Sequence, residues 1–192
     1  MPIKPARNAA RRQDVKGAQS TGDDDMAQDA IALLKADHRT VEDLFSEYES
    51  AKGAAAKRKL AERICLELTV HTQIEEEIFY PACKGKVEGD LLDESYVEHD
   101  GAKVLIAEIE NGKPSDDFYD AKVTVLAEQI KHHVHEEEAF LKGLFAQARR
   151  TDLDLAALGE EMAARKEELT AQYKKKLPTP EARTFETVSL GG

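Results

Sequence analysis

The sequence predicts an all-α protein: an up-and-down antiparallel four-helix bundle with an additional C-terminal helix. Three observations predict it. Pro (six) and Gly (eleven) are sparse among 192 residues, and Ala, Glu, Lys and Leu dominate, the composition that favours helix. Apolar residues recur at steps of three and four in five segments, and Gly or Pro punctuates the gaps. No run shows the strict alternation of a half-buried strand.

Each element can be justified in order. Residues 1–25 lack apolar periodicity and end in Asp23-Asp24-Asp25, so they read as a disordered tail. The bundle is expected over residues 26–148. Ile31, Leu34, His38, Val41, Phe45 and Tyr48 make the first stripe, and Gly53 breaks it. Leu60, Ile64, His71, Glu75 and Ile78 make the second, which Pro81 ends. Leu92, His99, Ala102, Ile106 and Ile109 make the third, closed by Asn111-Gly112. Pro114-Ser115-Asp116 reads as a turn and helix start, and Val125, His132, Glu136 and Phe140 are assigned to the fourth stripe. Residues 149–177 are expected to form the C-terminal helix. Thr151-Asp152-Leu153-Asp154 opens it with capping-box spacing, and Leu155, Leu158, Met162, Leu169 and Tyr173 follow. Pro178 and Pro180 stop it, leaving 178–192 as an irregular tail.

Charge and composition exclude some partners. A net charge of −11 argues against nucleic acid, whose phosphates need clustered Lys and Arg, and against an anionic membrane surface. No apolar run approaches the roughly 20 residues of a spanning helix. The N-terminal 25 residues have basic groups but no apolar core for a secretory signal. Cys65 and Cys83 fall 18 positions apart on one helical segment. At 1.5 Å per residue that is roughly 27 Å, too far for a disulfide. Reduced thiols point to a cytoplasmic protein.

The chemistry lies in a repeat. His71-Thr72-Gln73-Ile74-Glu75 and His132-His133-Val134-His135-Glu136 each place a His four residues before a Glu, on one helix face. Each is preceded 33 residues upstream by a His beside a carboxylate, Asp37-His38 and Glu98-His99. His38, His71, Glu75, His99, His132 and Glu136 therefore all fall on stripes assigned to the core. Buried Glu or His without partners costs several kcal/mol, on the order of 2–7 for each polar group. Two metal ions would remove that cost, with two imidazoles on each ion and both carboxylates shared. Iron, manganese and zinc all suit such donors. His133 and Glu137 also fit the spacing, but a uniform 61-residue repeat selects His132 and Glu136, because that frame aligns Phe140 with Phe79. His133 and His135 are then expected on the outer face or behind the ligating groups. Glu76, Glu77, Glu137 and Glu138 are expected in solvent, with some orienting ligating His.

At these residues the chain resembles the hemerythrin-like, or HHE cation-binding, family over residues 28–148, in the form H…HxxxE…H…HxxxE. The resemblance implies a four-helix bundle with an oxo- or hydroxo-bridged pair of iron ions, Glu75 and Glu136 bridging, and His38, His71, His99 and His132 terminal. Oxygen-carrying members have a second His four residues after the third-helix His; here that position is Lys103. Reversible O2 carriage is therefore not the expected activity. The resemblance implies a small diatomic or peroxide ligand, with O2, peroxide or nitric oxide chemistry and peroxide decomposition as the enzymatic form. An iron or oxygen sensor, or iron-homeostasis module, is the alternative. A ferritin-like site needs Glu three residues before each His, where this chain has Lys35, Leu68, Tyr96 and Gln129. Tyr96 lies one turn before His99; core packing is its expected role, with a metal ligand or hydrogen-bond donor as the alternative. The C-terminal helix is expected to act as a lid or as the contact of a homodimer.

Overall fold

The computed structural model describes residues 29–179 and 181–185. The proposed tail 1–25 lies outside them. All regular elements among the described residues are helices: α1 Ala30–Ser50, α2 Ala54–Ile74, a π-helical turn Glu75–Phe79, α3 Tyr80–Cys83, α4 Gly89–Asn111, α5 Tyr119–Glu138, α6 Leu144–Ala148 and α7 Leu155–Tyr173.

Local chemistry sets several boundaries. The Asp29 carboxylate caps α1 by accepting from the Ala32 backbone N–H at 2.7 Å. Gly53, at φ 89°, turns the chain from α1 into α2. Pro81 does not end the second helix. The chain runs on through the π turn, and Pro81 sits in the first turn of α3, where its missing N–H costs little. The cap of α7 is Asp154, which accepts from Ala157 N–H; Thr151 instead bonds back to the Ala148 carbonyl.

Helices α1, α2, α4 and α5 close a ring in which α1 packs on α2, α2 on α4, α4 on α5 and α5 on α1. The apolar faces form two clusters. One contains Val41, Leu44, Ile64, Leu68, Ile106, Val123, Leu126 and Ile130. The other contains Ile31, Leu34, Ile74, Phe79, Leu144, Phe145, Met162 and Leu169. Each large side chain so buried contributes roughly 1.5–3 kcal/mol. His38 and His99 fall between the two clusters along α1 and α4, and His71 and His133 meet them at the same level, so a polar belt crosses the interior.

Helix α7 lies on α1 and α2. Its apolar face, Met162, Leu169 and Tyr173, is buried there. Polar groups fasten it: Lys166 pairs with Asp37, Arg165 with Glu77, and Tyr173 OH donates to Gln73 at 2.8 Å.

The fourth stripe differs from the sequence reading by one residue. The buried face of α5 is Val123, Leu126, Ile130, His133, Val134 and Glu137. Val125 is 43% exposed and Phe140 90% exposed, so neither marks the core.

Candidate metal centre

Four imidazoles meet as two pairs. His38 and His71 bring their Nε2 atoms to 3.2 Å, and His99 and His133 bring theirs to 3.3 Å. Two carboxylates span the pairs. Glu75 Oε2 lies 3.1 Å from His71 Nε2 and 3.3 Å from His99 Nε2. Glu137 Oε2 lies 3.4 Å from His38 Nε2 and 3.5 Å from His133 Nε2. All six side chains are buried.

Four of the six residues read from the sequence, His38, His71, Glu75 and His99, are in this cluster. His132 and Glu136 are not. The His132 side chain is 62% exposed and sits 3.2 Å from Glu136 on the outside of α5. His133 and Glu137 take the interior places. The repeat is not uniform: His38 and His71 are 33 residues apart, but His99 and His133 are 34 apart. One residue rotates a helix by about 100°, which is enough to exchange the inner and outer faces. The apolar stripe Val123, Leu126, Ile130 and Val134 carried the correct frame.

A second ring of carboxylates holds the imidazoles from behind. Glu138 Oε1 lies 2.8 Å from His38 Nδ1, Glu76 Oε1 3.1 Å from His99 Nδ1, and Glu98 Oε2 2.8 Å from His133 Nδ1. Asp37 Oδ2 stands 3.6 Å from His71 Nδ1. An ionised carboxylate only accepts, so the three closer Nδ1 atoms carry hydrogen and aim Nε2 lone pairs inward. Glu76 and Glu138 are therefore orienting groups; Glu77 pairs with Arg165.

Tyr80 was not identified from the sequence. Its hydroxyl lies 3.1 Å from Glu137 Oε1, 3.2 Å from His99 Nε2 and 3.4 Å from Glu75 Oε2. In an uninterrupted α-helix a residue five places after Glu75 would point about 140° away. The π turn, marked by Tyr80 N–H bonding to the Glu75 carbonyl, brings both onto one side. Such turns recur at functional sites. Tyr96 packs edge-on against the Tyr80 ring, with centroids 5.3 Å apart, in keeping with a packing role.

The arrangement fits cations on its own terms. Opposed imidazole lone pairs at about 3 Å repel unless a proton or a metal lies between them. Glu75 Oε1 and Glu137 Oε2 are buried without any hydrogen-bond partner, a costly state for charged oxygens. In the metal-free chain, protons partly fill the role. Burial pulls His71 down, but the charge of Glu75 and the neighbouring Asp37 prevail and push it up to about 10. Burial opposed by Glu137, Glu98 and Glu75 leaves His133 at about 9. Glu75 is raised by burial but held well below the usual carboxylate range by His71 and His99. The Tyr80 phenol is pushed far up by burial and by Glu137 and Glu75. A cavity of about 10 Å³, with His38, His71, His99 and His133 in its wall, holds about one water-sized centre.

The chain belongs to the hemerythrin family: the family model described as the hemerythrin HHE cation binding domain matches residues 29–145. The His/Glu cluster thus lies within an HHE cation-binding domain. A crystal structure of a hemerythrin HHE cation binding domain-containing protein from Mycobacterium kansasii shares the fold, with a TM-score of 0.63 and 24% identity over 75% of this chain and 88% of that one. A protein named DNA nickase from Nostoc sp. is 30% identical over 128 residues, which are 66% of this chain but 36% of that protein. No helix of the described residues is long and apolar enough to cross a membrane.

Proposed function

We propose that this chain is a non-haem di-iron protein. His38, His71, His99 and His133 would hold two ions and Glu75 and Glu137 would bridge them, in place of the His132 and Glu136 expected from spacing. The observation that carries the reading is the pair of unpartnered buried carboxylate oxygens set across two facing imidazole pairs. Imidazole with carboxylate suits iron, and manganese or zinc are the competitors. The short link between α1 and α2, residues 51–53, supports an up-and-down order of α1, α2, α4 and α5, with α7 as a lid.

A redox-active ion pair here would supply electrons to O2, peroxide or nitric oxide. The chain's own residues supply the rest. The outer carboxylates orient the imidazoles, and the two apolar clusters exclude bulk water. Tyr80 keeps its proton and presents a hydroxyl beside His99 and Glu137, suited to donating to a small bound oxygen ligand. The burial of all six donor side chains supports a small ligand over an organic substrate. The nickase name is not carried over, because the match spans 36% of that protein and a net charge of −11 opposes a polyanion.

The test is elemental analysis of protein grown in iron-replete medium, followed by O2 evolution from added peroxide. Two iron ions per chain and O2 release support a peroxide-decomposing centre. Two irons without turnover would leave ligand binding or sensing as the function. Well under two metals per chain in otherwise intact protein would overturn the reading.

A further inference from the structure

The His132-Glu136 pair lies outside the buried centre, yet it is not isolated. His132 Nε2 stands 3.2 Å from Glu136 Oε1 on its own helix and 3.5 Å from Glu98 Oε1 on α4. All three donor atoms lie within 4.8 Å of one another. We propose that Glu98, His132 and Glu136 form a separate surface site for one exchangeable divalent transition-metal ion of the Zn2+ class.

Four observations support it. The ligand set crosses two helices, so it closes a chelate between α4 and α5 and is more than an i, i+4 neighbour pair. Glu98 is held in place from behind: its Oε2 accepts from the buried His133 Nδ1 at 2.8 Å, leaving Oε1 turned toward His132. One imidazole nitrogen with two carboxylate oxygens suits Zn2+, Cu2+ or Fe2+, and the imidazole disfavours Ca2+ and Mg2+. The three side chains are 19%, 62% and 30% exposed, which leaves remaining coordination positions to water and permits rapid exchange.

Glu98 is shared between this site and the interior. An ion on Oε1 draws electron density from the carboxylate that orients His133. Occupancy outside is thereby felt at the buried centre through a single residue. The surface site itself does not depend on the di-iron reading; only this coupling does.

The experiment uses the full chain as purified, with its metal content first counted. Zn2+ is titrated in by equilibrium dialysis. The expected result is one further equivalent, removable by a mild chelator, with binding at least tenfold weaker in His132→Ala and in Glu136→Gln and unchanged in the exposed control His135→Ala. Ca2+ should not compete. No further equivalent, or equal binding in His132→Ala, overturns the proposal, and so does equal binding of Ca2+. If the purified chain holds fewer than two metals while the His132-dependent equivalent persists, the di-iron reading fails and the surface site stands. In iron-loaded protein, Zn2+ should also shift the iron absorption bands, and not in His132→Ala.

Discussion

His132 and His133 are adjacent in sequence and opposite in environment, one largely in solvent and one buried. Substitution should separate them. His133→Ala removes a buried donor and is expected to lower iron content by one equivalent or more. His132→Ala should leave two irons in place, as metal analysis of both variants would show. Equal loss would mean that α5 is turned the other way. The sequence was informative here up to a single residue. His38, His71, Glu75 and His99 could be placed because apolar neighbours fix their helical frames on both sides. On α5 the 61-residue repeat anchors the frame on Phe140, the counterpart of Phe79. Phe79 lies four residues after Glu75 within a continuing helical run and is buried, whereas Phe140 follows the end of α5 and is exposed. The residues Val123, Leu126, Ile130 and Val134 were the better anchors, since β-branched and Leu side chains at that spacing mark a buried face.

At the scale of the element, the π turn and the α5–α6 link carry the features that periodicity does not show. A π turn adds no residue type of its own and leaves the apolar pattern almost unchanged, so Tyr80 was invisible as a site residue. The short α6 is likewise too brief to show a period, yet it lays Phe145 against His38 with ring centroids 5.7 Å apart. The link requires Gly143. A Cβ there would stand 2.6 Å from the Glu136 and Glu137 carbonyl oxygens and the Ala139 nitrogen. Gly143→Ala must therefore move the backbone that carries Glu137. It should cost about 1–3 kcal/mol in urea unfolding and lower iron content at the same time. Loss of stability with full iron content would separate the link from the centre.

The whole molecule ties its C-terminal segment to the centre through Asp100, the buried neighbour of His99. Its Oδ2 accepts from Arg183 N–H, Thr184 N–H and the Thr184 hydroxyl at 2.6–2.8 Å, and Lys103 pairs with Oδ1. Burial raises this carboxyl, but those donors hold it below its ordinary value. Asp100→Asn weakens the charged contacts and should destabilise the chain by roughly 1.5–3 kcal/mol, with earlier proteolysis after residue 177 as the visible sign. Lys103, which stands where oxygen carriers have a further His, is thus a structural cation between Asp100 and Glu76. The metal-free chain should also have a distinctive pH response. His71 and His133 are raised in the fold, to about 10 and about 9. Their contribution is complete below the free-imidazole value near 6.5 and disappears as pH rises through those two values. Thermal melts of the apo chain should fall between pH 7 and 10, while the iron-loaded chain, having released those protons, should change little. Identical profiles would contradict the assigned roles.

The two halves of the centre are near copies, but their aromatic neighbours differ. The Phe145 ring lies over His38, and the Tyr80 ring, with its hydroxyl, lies over His99. One half of the pair is therefore bounded by hydrocarbon and the other by a phenolic O–H. If two like ions were held in this pocket, their surroundings would tell them apart, and a ligand lying between them would find a hydroxyl on one flank only.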